Sequence, residues 1–428
     1  MYTIENESLS AIADGIRKKT GKTNLLQFPA GFVSAIESIE TGGSTTPAKI
    51  DEKDVNFFDY DGTLIASYTV EEAKTLSTLP EPPKHAGLVF QQWNWTLDDV
   101  HTITEFADIG ALYTTDDGAT RLKIEVIDAA RGDISLNFYQ SVGAGTVIDW
   151  GDGGEPEASG DALMCQMQHT YANAGTYIIS MKPADNCTLI LGQSTSSPII
   201  GGITTYNRVS PVLLLEAYIG DRVTTLEEGA FSNYCVLRVV SMNSDLKQMK
   251  DSAFKSCKSL ICMVLPEAIQ GISNYAFQDC SVLKCLPTGR ELYSIGNYAC
   301  SKCASLKRLN TIKVNNIGTS IFDGSGITHA VFNSVMIIKS YMFMNSKNLI
   351  SVKMTSNISS INGGYAFSEC NTLKTVDLSH CTEVPRLINV NAFSNTPKDL
   401  EILVPAALAD EWKQATNWTT LANQIKGV

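Results

Sequence analysis

No run of eighteen apolar residues occurs in this chain of 428 residues, so no membrane-spanning helix is expected. Histidine is scarce: the five copies are scattered and form no paired metal-ligating set. Positive charge is also in deficit. Lys and Arg number 33 against 45 Asp and Glu, a net charge of -12, whereas phosphate-backbone binding needs clustered cations, so nucleic acid is not expected as a partner. The one basic cluster, Arg17-Lys18-Lys19 with Lys22, is short and reads as a solvated helix end. The opening MYTIENESLSAIADGIRKK begins with acids and lacks the basic and apolar regions of a secretory signal. Eleven cysteines are an odd number in a long chain. They suggest reduced, buried thiols rather than a disulfide scaffold.

What is present is a folded composition, 44% hydrophobic and 18% charged, of a length that suits roughly two to four domains. Within it lies a repeat. Ala-Phe or its equivalent recurs at Phe231, Phe254, Phe277, Cys300, Phe322, Phe343, Phe367 and Phe393, with spacings of 23, 23, 23, 22, 21, 24 and 26 residues. Leu stands six positions after the anchor at Leu237, Leu260, Leu283, Leu306, Leu349 and Leu373. A small residue stands three after it, at Cys257, Cys280, Cys303, Ser325, Ser346 and Cys370. An aliphatic stands five before it, at Leu226, Met249, Ile272, Ile295, Ile317, Ile338 and Ile388. A coil of this length cannot bury its own apolar face, so the copies must stack, each column becoming an internal seam. Eight coils predict a rod on the order of 40 Å long with a parallel sheet along one side. In the fifth copy the Leu position is empty and Ile327 lies one residue early, which predicts a local irregularity. After the last copy, LEILVPAALADEWKQATNW reads as a strand, a proline and an amphipathic helix, a cap for the open end.

The pattern Phe-x-x-Cys-x-x-Leu with an upstream Ile resembles the BspA-type leucine-rich repeat of bacterial surface and phage proteins. Further forward, Trp150-Gly151-Asp152-Gly153 and His169-Thr170-Tyr171 before Ala174-Gly175-Thr176-Tyr177 resemble the polycystic-kidney-disease (PKD) type of immunoglobulin-like sandwich. Residues 53–95, with Asp59-Tyr60-Asp61-Gly62, Pro82-Pro83 and Gly87-Leu88-Val89-Phe90 before Trp93, are similar to the β-grasp modules called internalin B-repeats. The opening helical patches, Leu9, Ile12, Ala13 and Ile16, then Phe32, Val33, Ile36 and Ile39, resemble the N-terminal stretch of tail-fibre-like proteins of phages and prophages of gut Firmicutes. These resemblances imply a mainly β, multidomain chain. They divide it into a helical attachment segment (1–40), a linker (41–50), a β-grasp-like module (51–110), a PKD-like sandwich (111–210), a leucine-rich-repeat solenoid (211–400) and a cap (401–428).

Catalytic motifs are weak. Phe58-Asp59-Tyr60-Asp61-Gly62-Thr63-Leu64 copies the first motif of haloacid-dehalogenase phosphatases, but only about sixty residues separate it from the PKD-like strands, and no crossover helices of the kind that chemistry needs fill them. A β-hairpin turn explains the same letters. Gly15 to Thr23 has five rather than four residues between its glycines, the wrong geometry for a phosphate-binding loop. Cys300-x-x-Cys303 falls on the repeat columns and reads as core. Asp149 and Asp152 could contribute to a Ca²⁺ site but read as turn residues. No enzyme activity, cofactor or metal is expected. The expected role is recognition of a bacterial surface protein or glycan through exposed solenoid positions, with Tyr293, Asn297, Asn315, Asn316, Tyr341 and Tyr365 as candidate contacts. Attachment to a virion through residues 1–40, and a possible homo-oligomer, complete that expectation. The alternative is an adhesin of the bacterial surface that binds host tissue.

Overall fold

The hairpin after Val55–Phe58 (β1) shows how local chemistry starts this fold. Asp59 N–H donates to the Thr63 carbonyl (2.8 Å), Gly62 N–H to the Asp59 carbonyl (3.1 Å), and Asp61 accepts from Thr63 N–H (2.9 Å). Gly62 has φ +90°, which the turn requires and side chains disfavour. The chain returns antiparallel as Leu64–Tyr68 (β2), so the phosphatase-like letters form a turn. The computed structural model describes residues 50–194, 197–201, 212–311 and 313–428. The expected N-terminal helices (1–40), the Gly15–Thr23 loop, the basic cluster and the linker up to residue 49 lie outside the described residues. Glu52–Val428 form one compact unit. The protein is mainly β.

Leu88–Trp93 (β3) and Ala107–Thr115 (β4) complete a sheet of order β2-β1-β4-β3, with a central parallel β1–β4 pair. Short helices Val70–Ala73 (α1) and Leu97–His101 (α2) start at capping boxes, Thr69 with Glu72 and Thr96 with Asp99. β4 runs across the division expected at 110/111, so this module ends near Thr115.

The sandwich follows: Thr120–Val126 (β5), Asp133–Gln140 (β6), Thr146–Asp149 (β7), Glu157–Ala158 (β8), Met164–Thr170 (β9), Gly175–Pro183 (β10), Leu189–Leu191 (β11) and Ile200–Gly201 (β12). The inward residues of β5 alternate with outward ones, as a half-buried strand requires. Tyr171 donates its hydroxyl to the Trp150 carbonyl (2.9 Å) and His169 stacks on Trp150 (4.6 Å between centroids). Asp149 accepts from Gly151 N–H, while Asp152 accepts from Gly154 N–H and meets His169 Nε2 at 2.9 Å. Both carboxylates thus close their own loop, and among the described residues no group of three or more potential metal ligands is gathered.

The sandwich does not stop where the coils begin. Val212–Tyr218 (β13) pairs antiparallel with β5 and parallel with Val239–Ser241 (β15). Val223–Leu226 (β14) pairs with β11 on one side and Gln248–Met249 (β16) on the other. Both sandwich sheets therefore continue into the solenoid and close its first end; the expected 210/211 boundary lies outside the described residues.

Each coil is locked to the next through the anchor dipeptide. Phe231, Phe254 and Phe277 donate their N–H groups to the carbonyls of Ala253, Ala276 and Ala299 (2.8–2.9 Å). Their rings stack at 5.1 and 5.8 Å, and Phe322, Phe343, Phe367 and Phe393 form a second stack at 4.9–5.5 Å. Two residues before and two after the anchor the backbone turns left-handed, at Tyr275 and Asp279, Tyr298 and Lys302, Tyr341 and Asn345, Tyr365 and Glu369. The small column has a chemical role beyond size. Cys257, Cys280, Cys303 and Cys370 donate Sγ–H to the carbonyls of Phe231, Phe254, Phe277 and Phe343, and Ser346 likewise serves Phe322 (2.6–3.1 Å). At Phe254, Phe277, Phe322 and Phe343 the carbonyl already accepts the N–H three residues on, so this weak donor adds a second bond that ties one coil to the next. All eleven thiols are unpaired and only Cys235 is exposed. Burial pushes the Cys370 thiol up to about 12 and those of Cys257 and Cys303 well above the ordinary value, so they are inert.

Two expectations need correction. The strands occupy two sides of the coil rather than one: a ladder at the Ile column, and a second just after the Leu column through His329–Phe332, Ser351–Met354, Thr375–Asp377 and Glu401–Val404. In the last copies the Ile column moves to six before the anchor, because each carries an extra residue. Ile361 pairs with buried Leu387, and Ile388 is 43% exposed. The Ile-side ladder breaks twice, between Gln248–Met249 and Gly271–Ile272 and, at the fifth copy, between Asn316–Ile317 and Ile337–Ile338. At the far end α3 (Ala409–Gln414) buries Trp412, Trp418 packs near Phe393, and Ile425–Gly427 adds the last parallel strand. We expect Cys280→Ala to lower stability by about 1–2 kcal/mol, by removing the inter-coil bond to the Phe254 carbonyl and leaving a small void in a packed column, and Cys280→Ser to restore part of it. Urea unfolding of the two variants measures this.

Candidate binding surface

The module covers part of the solenoid. Gly110 lies against both Val264 methyls, and Gly62 against Cys262, so the outward positions of the Leu-side strands in the second and third coils are buried. Polar contacts hold the pieces in register: Asn94 Nδ2 donates to the Leu265 carbonyl (3.1 Å), Trp95 Nε1 to the Thr288 carbonyl (2.9 Å), and Asn310 to the Asp108 carbonyl (3.1 Å). Arg308 grips Asp108 through two nitrogens (2.6 and 3.1 Å). Burial pushes the Asp108 carboxyl up, and Arg308 works against that shift. Arg290 donates to Asp99 (2.8 Å) and Thr102 (2.7 Å) of the α2 turn, and Lys353 pairs with Glu105 (3.0 Å).

Where the module ends, a cleft of about 860 Å³ opens between it and the solenoid. Glu52 and Asp108 stand on the module wall, and Lys284, Lys307, Thr328 and Lys374 on the solenoid wall. A second hollow of about 560 Å³ shares Glu52, Lys307, Arg308 and Thr328 with it. The three lysines immediately follow the Leu column, at Leu283, Leu306 and Leu373.

The six expected contacts are all exposed but lie elsewhere, on the Ile-column side. Tyr293 donates its hydroxyl to Glu291, which also pairs with Lys313, and its carbonyl accepts from Asn315 and Asn316 N–H. Asn297 belongs to a structural ladder. Asn274 donates to Asp251 (3.0 Å) and accepts from Asn297 N–H (2.8 Å), while Asn297 accepts from Thr319 N–H (2.9 Å). Its oxygen is therefore committed to the fold. Asn297 and Asn316 line a hollow of about 400 Å³. Tyr341 and Tyr365 stack at 5.7 Å, the counterpart of Tyr275 on Tyr298 at 5.2 Å. None of the six lines the large cleft. Lys284, Lys307 and Lys374 were missed, although a cation directly after the Leu column recurs in the sequence at Arg238, Lys284, Lys307 and Lys374.

The stacked coils have known relatives. Residues 213–328 and 310–410 match the model of the BspA type Leucine rich repeat region, in six copies. The coils are BspA-type leucine-rich repeats. Among solved structures, a leucine-rich repeat protein from Bacteroides ovatus ATCC 8483 is 20% identical over 50% of this chain and 66% of its own length, just under two thirds, with a TM-score of 0.35. A leucine rich cell surface protein from Faecalibacterium prausnitzii A2-165 is 19% identical over 53% of this chain and 78% of its own, with a TM-score of 0.29. The T. pallidum leucine rich repeat protein is 20% identical over 38% and 82%, with a TM-score of 0.25. No curated protein matches the sequence.

The seam between module and leucine-rich-repeat solenoid gives two predictions. Gly110→Ala should destabilise the protein by about 1–3 kcal/mol, because the new methyl meets the packed Val264 side chain; chemical denaturation reads the loss. Burial pushes the Asp99 carboxyl up, but Thr96 and Arg290 outweigh it and hold it below its ordinary value. A depressed carboxylate stabilises the fold fully above its unfolded range, near pH ~4, and loses that contribution as pH falls through the folded value. Asp99→Asn should therefore cost about 0.5–1.5 kcal/mol at neutral pH, and the gap from the parent should close as urea titrations move towards pH ~3.

Proposed function

We propose that this protein is a non-enzymatic recognition protein whose solenoid binds a protein or glycan of a bacterial cell surface, as the receptor-binding part of a phage tail fibre. The observation that carries this reading is the division of labour within each coil. Phe, Leu, Ile and Cys columns are consumed by the core, while the positions between them stay exposed on a rigid stack, free to differ from coil to coil. The unpaired thiols suit assembly in a reducing compartment, and the opening residues resemble those of tail-fibre-like proteins. Residues 1–40 would then serve attachment to the virion. An adhesin of a bacterial surface that binds host tissue would use the same solenoid surface, so host material belongs in the test.

Because the sandwich and the solenoid share sheets, the test uses the full chain. Labelled protein should bind intact cells of some bacterial strain saturably, and should not bind host epithelial cells or collagen. Substituting exposed solenoid positions, Tyr341→Ala with Tyr365→Ala on one side or Lys307→Gln on the other, should weaken binding roughly tenfold for the side that makes contact. Substituting the outer sandwich face, Val147→Ala with Ile178→Ala, should leave it unchanged. Loss through the sandwich pair alone would remove the solenoid from the account, and binding confined to host material would replace the phage reading with the adhesin.

A further inference from the structure

The cleft beside the module differs in charge from the rest of this acidic chain. Among the described residues Lys284, Lys307 and Lys374 form no ion pair, whereas Arg308 is already held by Asp108. All three lysines are exposed and reach the same cleft, where Glu52 is the other carboxylate on the wall. Lys284 and Lys307 stand on adjacent coils, roughly 5 Å apart along the stack, and Lys374 lies three coils further, roughly 14 Å. One small anion cannot span that row. A chain with repeated negative charges can.

The residues between the lysines add a second signature. Thr328 gives its hydroxyl proton to the Lys307 carbonyl (3.2 Å), Thr372 to the Lys347 carbonyl (2.8 Å), and Ser305 to the Ser281 carbonyl (2.9 Å). With their protons committed, these oxygens face the cleft as acceptors, suited to the hydroxyl donors of a sugar. Ile350, 36% exposed, gives an apolar patch for a ring face. The one aromatic on the wall, Phe58, is buried, so nothing there stacks on nucleobases.

We propose that this cleft binds an acidic polysaccharide, a sugar chain bearing repeated carboxylates or phosphodiesters. The inference rests on the recognition role proposed above and names the ligand class for its solenoid. Full-length protein is titrated calorimetrically with polygalacturonate, poly(glycerol phosphate), neutral dextran and single-stranded DNA, at low and high salt. At least one of the two acidic sugar polymers should bind, and the one that does identifies the anion. Dextran should not bind, and DNA should bind at least tenfold more weakly. The triple variant Lys284→Gln/Lys307→Gln/Lys374→Gln should lose roughly 10- to 100-fold in affinity, and binding should weaken with salt. Circular dichroism and the melting temperature confirm that the variant is folded. Unchanged polymer affinity in the folded triple variant, equal binding of dextran or DNA, or no binding by either acidic polymer overturns the assignment. Intact-cell binding by the triple variant equal to the parent's would also overturn the cleft, yet leave the recognition role standing. Polymer binding without any cell binding would do the reverse.

Discussion

The buried peptide groups of the anchor dipeptide set the terms for this molecule. Stacking coils around an aromatic seam removes the backbone of Ala-Phe from water, and every amide and carbonyl so removed must find a partner. The Phe N–H takes the Ala carbonyl of the next coil, and the Phe carbonyl takes the thiol or hydroxyl of the small column. Left-handed residues on both sides bend the chain tightly enough to permit it. Most of the Phe carbonyls also accept the N–H three residues on in their own coil, but the Phe N–H finds its partner only in the next coil. Cooperation between neighbours is therefore built into the backbone before side-chain packing adds to it.

Such a stack is vulnerable at its ends, and the chain closes them by two different means. At the first end, both sheets of the sandwich run on into the coils through β13 and β14, so the first strands of the stack are paired on the sandwich side. At the last end the ladder finishes on Ile425–Gly427, with Trp412 and Trp418 laid over the seam. The four-stranded module of β1–β4 performs neither task. It lies across the Leu-side strands, anchored by Arg308 on Asp108 and Arg290 on Asp99, and converts an open flank into a walled cleft.

That wall matters for the proposed recognition. A solenoid flank alone is a shallow surface, on which exposed charges interact weakly through water. With the module as a second wall, the lysines of several coils line one cleft. The net charge of the chain, strongly negative, says nothing of this channel, because it averages over surfaces that a ligand never meets.

The columns of Phe, Leu and Cys were legible in the sequence because a repeat writes the same contact several times, and a coil that cannot bury itself leaves no alternative to stacking. The hairpin at Asp59–Thr63 and the closing helix were legible for a similar reason: each is set by neighbours a few residues apart. The chain's own letters also exposed the recurring cation after Leu, although its meaning depended on the module. Other features had no local signature. The extra residue that moves the inward position from Ile388 to Leu387 shows only once the ladder is paired. The commitment of the Asn297 oxygen to Thr319 shows only when coils are in register. Joining β5 to β13 and laying Gly110 on Val264 bring together residues far apart in the chain, and only the tertiary structure could decide them. The sequence by itself determined the interior of the stack, since burial acts on each copy alike; where the faces are covered or left open depends on long-range contacts made once, with no repetition to announce them.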